Sequence, residues 1–173
     1  AQISGKVLTG KLKWNTTLIV NTLKDKVLSF DSKFLPSQYV TAGGGNLVAL
    51  VGKPLFSVWS YRFAGLDPSN GDPIGILNGQ PSKNYVAILA NTNPDSLQYH
   101  GSGRPTLYGA LRQDFSYKKF SLSFNITYKG GHYFRTNSIG LNYTDLITSR
   151  AHLDYSYRWQ KPGDEQNTSI PSV

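Results

Sequence analysis

The chain has 173 residues and a net charge of +8, with 16% charged residues, 13% aromatic residues and no cysteine. Typical soluble domains have about 25% charged residues, so this composition better suits a wall between lipid and water. The basic residues are scattered, which disfavours a nucleic-acid partner, and the lack of cysteine excludes disulfides and thiolate chemistry. Because no apolar run approaches the ~18–20 residues of a transmembrane helix, a membrane span would have to consist of strands.

The chain begins with two stretches in which apolar and polar residues alternate. The apolar set in these stretches is Ile3, Gly5, Val7, Leu12, Trp14, Leu18 and Val20. Alternation with a period of two is typical of strands that have one apolar and one polar face. We therefore predict strands near residues 1–9 and 12–22, with a tight turn at residues 9–11.

The middle of the chain lacks this regular pattern, and residues 31–105 are predicted to form a long surface loop. Within this loop, the apolar stretches 47–51 and 56–61 predict short strands. No segment has a clear helical period, although residues 145–153 favour one short helix. Residues 135–173 are predicted to form a second long surface loop.

The clearest alternation lies between these two loops. The apolar residues Phe120, Leu122, Phe124, Ile126 and Tyr128 alternate with polar residues, and residues 107–117 show the same pattern with one interruption at Gln113. We predict strands near residues 106–117 and 120–134, joined by a tight turn at residues 117–119.

Short turns at one end and long connections at the other are characteristic of outer-membrane barrels. The predicted fold class is therefore all-β, part of a large antiparallel transmembrane β-barrel with long extracellular loops. The alternative is a soluble, secreted β-sandwich that binds carbohydrate. The barrel segment would need detergent or partner strands to stay in solution, whereas the sandwich would be monomeric in plain buffer.

An acidic stretch at residues 67–73 could hold a structural Ca²⁺ ion through Asp67, Asn70 and Asp72, since hard oxygen ligands suit this cation. The spacing does not match an EF-hand loop, and a pair of turns explains the same residues more simply. Asp67 with Asp72 is also the only local pair of carboxylates that could serve a hydrolase. The three histidines lack metal-ligand spacing and no nucleophile motif is present, so the chain is predicted not to be an enzyme.

Four segments, in order, resemble the SusC/RagA-like TonB-linked outer-membrane transporters of Bacteroidetes. They are residues 52–67 (GKPLFSVWSYRFAGLD), 67–73 (DPSNGDP), 100–106 (HGSGRPT) and 158–165 (RWQKPGDE). Each segment alone is weak, but their order and spacing are specific. The opening hairpin suits the strands that precede these segments in the family.

The resemblance implies a barrel of about 22 strands with a plug inside it. It also implies import of glycans or peptides across the bacterial outer membrane, with a SusD-like surface lipoprotein as partner and TonB as the energy source. The chain has only about four wall strands and no plug or TonB-contacting segment, so the remainder of the barrel and plug would have to come from elsewhere. A chain without methionine is not expected to be a complete translation product.

The same reading assigns roles to individual side chains. Polar wall residues would face the lumen and plug: Arg112, Asp114, Asn125 and Lys129. Aromatic loop residues would contact cargo or a partner, because aromatic faces stack on sugars and anchor interfaces: Trp59, Tyr61, Tyr99 and Trp159. The alternative for these four is that they pack the loops together.

Overall fold

The computed structural model describes residues 1–41, 48–136 and 153–172. These residues form an all-β structure with antiparallel strand pairing, which confirms the predicted class. The strands are β1 (Gln2–Thr9), β2 (Leu12–Thr22), β3 (Ser57–Tyr61), β4 (Phe63–Leu66), β5 (Pro73–Leu77), β6 (Gln80–Ser82), β7 (Leu97–Ser102), β8 (Leu107–Tyr117) and β9 (Phe120–Gly130). The helices are α1 (Pro36–Thr41) and α2 (Tyr85–Leu89), with 3-10 turns at Pro94–Ser96, Leu153–Tyr157 and Asp164–Gln166. No helix in the part of the chain described here is long and apolar enough to cross a membrane.

The chain divides into two compact units. The first comprises Ala1–Asp31, Ala49–Ser57 and Gly101–Tyr133. The second comprises Ser32–Val48, Val58–His100 and Phe134–Val173.

The first unit is built on one four-stranded antiparallel sheet in the order β1-β2-β8-β9. Strands β2 and β8 pair without interruption from Leu12 opposite Tyr117 to Thr22 opposite Leu107. Because Leu12 and Tyr117 are partners, the β1–β2 and β8–β9 turns lie at the same end of the sheet. The sheet is open, since β1 and β9 each pair on one side only among the residues described.

The register separates the side chains of this sheet into two faces, because directly opposed residues of antiparallel strands point to the same side. We call one the apolar face; it carries Ile3, Leu8, Leu12, Trp14, Leu18, Val20, Leu111, Phe115, Phe120, Leu122, Phe124, Ile126 and Tyr128. We call the other the polar face; it carries Ser4, Lys6, Lys13, Asn15, Thr17, Arg112, Asp114, Ser123, Asn125 and Lys129. The alternation read from the sequence is thus the alternation of these faces.

The register differs from strict alternation in β1. A bulge between Lys6 and Leu8 leaves Val7 unpaired and sets Leu8 opposite Trp14. The predicted apolar set contained Val7, and the structure replaces it with Leu8. An extra residue in one strand moves each residue after it to the opposite face of the sheet. The sequence period of a single strand does not reveal this change.

Residues 31–105, expected to be a loop, contain ordered elements. Strands β4, β5 and β6 form a three-stranded sheet, and β3 pairs with β7. Helix α2 begins after Asn84, whose side chain accepts a hydrogen bond from the Ala87 amide. The strand predicted at 56–61 corresponds to β3. The strand predicted at 47–51 is wrong, since residues 48–50 have no regular structure and 51–52 form a turn. Residue 47 and most of the helix predicted at 145–153 lie outside the described residues.

Candidate functional site

The four residues predicted to face the lumen share the polar face. Arg112 lies opposite Asn125, and Lys129 lies opposite Tyr108, two pairs further along the same face of the β8–β9 pair. The guanidinium of Arg112 is ion-paired with Asp114 on its own strand, with Nε and Oδ2 3.1 Å apart. Asp114 also accepts a hydrogen bond of 2.6 Å from the hydroxyl of Ser123 on β9. That this face borders a lumen stays a prediction.

The apolar face is exposed. Phe120, Leu122, Phe124 and Ile126 of β9 are 80%, 61%, 42% and 54% exposed, and Ile3, Leu8, Leu12 and Leu18 are also classed as exposed. A β-sandwich buries the corresponding side chains against a second sheet. The exposure therefore favours a wall that needs an external apolar environment over the sandwich alternative.

Gln113 interrupts the apolar pattern of β8, and the structure shows how it is accommodated. Its side chain lies on the apolar face and is 7% exposed. The Trp14 indole Nε1 donates to Oε1 over 2.7 Å, and the amide Nε2 donates to the Thr16 hydroxyl over 2.7 Å. Trp14 stacks on Phe115 with ring centroids 5.4 Å apart. Both polar ends of the Gln113 amide thus have hydrogen-bond partners within the sheet, so the amide needs none from outside it.

Two of the four aromatic loop residues are interior residues. Trp59 is 5% exposed and packs between Tyr39 and Tyr99, with ring centroids 5.8 and 4.9 Å away. Its carbonyl accepts a hydrogen bond from Arg135. Trp159 is 8% exposed. Rings that are already covered leave little surface on which a cargo molecule could stack, so the structure favours the packing alternative for both tryptophans.

Tyr61 and Tyr99 are intermediate in exposure. Burial raises the pKa of the Tyr61 hydroxyl above its ordinary value. A role for these two tyrosines in contacting cargo or a partner stays a prediction.

Trp159 joins two of the segments that carry the family resemblance. Its ring lies against Gly71, at the tip of the 67–73 turn, so closely that a Cβ at Gly71 would be 2.5 Å from Trp159 Cδ2. The segment that follows Trp159 returns to the same turn, where the Ser172 amide donates to Gly71 O and its hydroxyl to Asn70 O. The sequence placed these segments 80 or more residues apart, and the structure brings them together in the second unit.

The acidic turn holds a lysine. Lys83 Nζ lies 2.6 Å from Asp67 Oδ2 and 3.4 Å from Asp72 Oδ2. The other Asp67 oxygen accepts hydrogen bonds from the amide and hydroxyl of Ser69. The Asn70 side chain donates to Asp72 Oδ2 and accepts from the Asp72 amide. The Lys83 hydrogen bond, followed by those from Ser69, holds the pKa of Asp67 well below its usual range.

This arrangement favours the turn interpretation over a Ca²⁺ site at Asp67, Asn70 and Asp72, and the metal site stays a prediction. An ammonium group occupies the position between the carboxylates that a cation would take. Asp67 Oδ1 and Asn70 Oδ1 are used as turn acceptors, which is the simpler interpretation of the sequence. Among the residues that the structure describes, no group of three or more His, Cys, Asp or Glu side chains could hold a metal ion.

The second unit also has two adjoining cavities that the sequence did not indicate. One is an apolar groove of about 360 Å³ where helix α2 packs on β5. The other is a polar pit of about 180 Å³ beside the β5–β6 turn. Arg62 lines both.

Comparison with known proteins gives one kind of match. No protein-family model and no curated protein matches the chain. Among solved structures, it is similar to one described as "Structure of the RagAB peptide transporter", with a TM-score of 0.64 and 17% sequence identity. The match covers 99% of this chain and 18% of that chain. At this identity the likeness shows the fold: the chain folds like a segment of a chain more than five times its length.

Proposed function

We propose that the chain forms part of the wall and surface loops of a TonB-linked nutrient importer in a bacterial outer membrane. In this role β1, β2, β8 and β9 belong to the wall, and residues 31–105 and 135–173 to the surface loops. The cargo would be a glycan or a peptide, and a SusD-like lipoprotein would be the surface partner. The proposal is carried by the exposed apolar face of an otherwise well-paired sheet.

The magnitude of this exposure supports a hydrocarbon environment. The exposed fractions of Phe120, Leu122, Phe124 and Ile126 together equal more than two whole side chains. Burying one such side chain is worth about 1.5–3 kcal/mol, so these four alone forgo roughly 4–7 kcal/mol in water. That is a large part of the roughly 5–15 kcal/mol by which domains are stable.

Strand length agrees with a membrane span. Strands β2, β8 and β9 each have 11 residues. Strands of about 9–11 residues cross the hydrocarbon core when they tilt by about 45°. The apolar residues run along the whole of β9, from Phe120 to Tyr128, as a lipid-facing strand requires.

The proposal requires neighbouring strands. Unpaired N–H and C=O groups are not tolerated in hydrocarbon, and β1 and β9 each present one such edge in the described sheet. A longer wall would pair both edges. The likeness to a segment of a longer transporter chain supports this view. The plug and the TonB-contacting segment would then lie in other parts of the complete transporter.

The experiment uses the absence of native cysteine, which makes single-cysteine labelling clean. Spin labels are placed along β9 of the protein in its membrane at Leu122, Phe124 and Ile126, with Ser123, Asn125 and Thr127 as matched neighbours. Collision with oxygen, which partitions into lipid, is compared with collision with a water-soluble nickel chelate. The apolar positions should be oxygen-accessible and the alternate positions should not. A flat profile along β9, or a protein that stays monomeric without detergent, refutes the proposal.

A further inference from the structure

The apolar groove of the second unit is a built feature. Its walls are Tyr61, Phe63, Ile74, Tyr85, Ile88 and Leu89, from β3, β4, β5 and helix α2. The Tyr85 hydroxyl donates to Pro73 O over 2.8 Å, which ties the helix to β5. A Cβ at Gly75 would be 2.7 Å from Ile88 Cδ1, so the Ile88 side chain packs directly against the main chain of β5. Contacts of the Tyr85 and Ile88 side chains with β5 therefore hold helix α2 in place and shape the groove.

The polar pit beside it has the opposite character. Asn91 and Asn93 use their side-chain oxygens to accept hydrogen bonds from the amides of Asn93 and Asp95. Their Nδ2 groups form no hydrogen bond with a described residue, and Asn78 also lines the pit. The Asp95 carboxylate makes neither an ion pair nor a hydrogen bond with a described residue.

Arg62 stands where the two cavities meet. Its Nη2 donates to Asp95 O over 3.0 Å and its Nε to Leu97 O over 3.5 Å. These main-chain contacts fix the guanidinium without neutralising it, and it forms no ion pair with any residue that the structure describes. A fixed cation, an unpaired carboxylate and two amide donors thus border an apolar groove.

We propose that the groove and pit together bind a short peptide segment bearing a large apolar side chain. The side chain would fill the groove, and the main chain or termini would meet Arg62, Asp95 and the asparagines. A peptide carries both kinds of polar group: a carbonyl or carboxylate for Arg62, and an N–H or ammonium for Asp95. The inference rests on the proposed function and names peptide as its cargo class.

A glycan fits these surroundings less well. The side chains that wall the groove offer few hydrogen-bonding groups, and a sugar hydroxyl buried without a partner is unfavourable. The aromatic and aliphatic walls suit a phenyl or branched alkyl group instead.

The test is calorimetric titration of the full-length protein in detergent with Gly-Phe-Gly, Gly-Ala-Gly and maltotriose. Gly-Phe-Gly should bind about tenfold or more tightly than Gly-Ala-Gly, because only its phenyl group leaves water in the groove. Leu89→Glu, which puts a charge at the groove, should remove this preference. Val86→Glu is the matched control, because Val86 lies on the same helix, is 79% exposed and does not line the groove.

A second variant tests the pit. Asp95→Asn keeps the shape of the side chain and removes its charge. The unmodified protein should bind the free-amine tripeptide more tightly than its N-acetylated form, and Asp95→Asn should abolish that difference. Both peptides carry the same phenyl group, so a merely structural effect of the variant would weaken them equally.

Several outcomes overturn the inference. Binding of maltotriose without binding of Gly-Phe-Gly would do so, as would equal effects of Leu89→Glu and Val86→Glu. If no peptide binds while β9 keeps its alternating oxygen accessibility, the peptide site fails and the wall assignment stands. If the peptides bind as expected while β9 shows a flat profile, the peptide site stands and the importer role fails.

Discussion

Replacing Gly71 with alanine should loosen the joint between the 67–73 turn and the segment around Trp159. Gly71 has φ +73°, a left-handed conformation that costs a non-glycine residue about 1–2 kcal/mol. Its Cβ would also lie 2.5, 2.6 and 2.8 Å from three atoms of the Trp159 ring. Overpacking of this kind costs about 1–3 kcal/mol. We expect Gly71→Ala to destabilise this joint by roughly 2–5 kcal/mol in total.

The ring cannot easily move aside. The Trp159 amide donates to Ile170 O, and its Nε1 lies 3.3 Å from Glu165 Oε2. Hydrogen exchange of the Trp159 and Ser172 amides reports the opening of this joint, since their acceptors are Ile170 O and Gly71 O. Their exchange should accelerate roughly 30- to 4,000-fold in the variant, at a factor of ten for every 1.4 kcal/mol.

Gly79→Ala is the matched control. Gly79 has φ +82°, and a Cβ there meets nothing within 4 Å, so only the left-handed cost applies. In a Trp159→Ala background the ring contact is absent, so the destabilisation caused by Gly71→Ala should likewise fall to the left-handed cost alone. Equal effects of Gly71→Ala and Gly79→Ala in the unmodified protein would refute the proposed contact.

Three further predictions follow from the structure. Because the pKa of Asp67 is lowered in the folded protein, its ionised carboxylate stabilises the fold at pH values above about 3.8, and this contribution is lost as the pH falls below that value. Lys83→Gln should reduce this loss of stability, measured as the unfolding temperature in a series from pH 7 to pH 2. Gly109→Ala would set a Cβ against Ile19 O and prevent the pairing of β2 with β8. The band of folded protein, which shifts on heating, should therefore disappear from gels of unheated samples. A variant that runs like the unmodified protein in unheated samples would contradict the register of β2 and β8. Gln113→Leu should destabilise the sheet by about 1–3 kcal/mol in urea unfolding, because it leaves the Trp14 indole N–H without the Gln113 Oε1 acceptor.

The wall strands could be predicted because their signal is local. Every second residue from Phe120 to Tyr128 is apolar, and this pattern alone identifies the two faces of β9. The bulge at Val7 was not predictable, because it is a property of the pairing of β1 with β2. Gln113 looked like an error in the pattern, since its partners Trp14 and Thr16 lie about 100 residues away in sequence.

The second unit was harder to predict for two physical reasons. Helices of five or six residues are too short to show a helical period, and only the capping Asn84 signalled α2. Burial is also a tertiary property, so the sequence could not distinguish the covered rings of Trp59 and Trp159 from exposed ones. The groove was missed because its walls come from separate segments, and the repeated asparagines Asn91 and Asn93 were the only local sign of the pit.

The unbroken pairing of β2 with β8 has a consequence for how the chain can vary. The last pair, Thr22 with Leu107, sets the two ends of a stretch of more than eighty residues side by side. Closing a flexible stretch of that length costs only about 4 kcal/mol, and each doubling adds only about 0.6 kcal/mol. Insertions, deletions or exchange of the whole intervening module should therefore leave the hairpins in register.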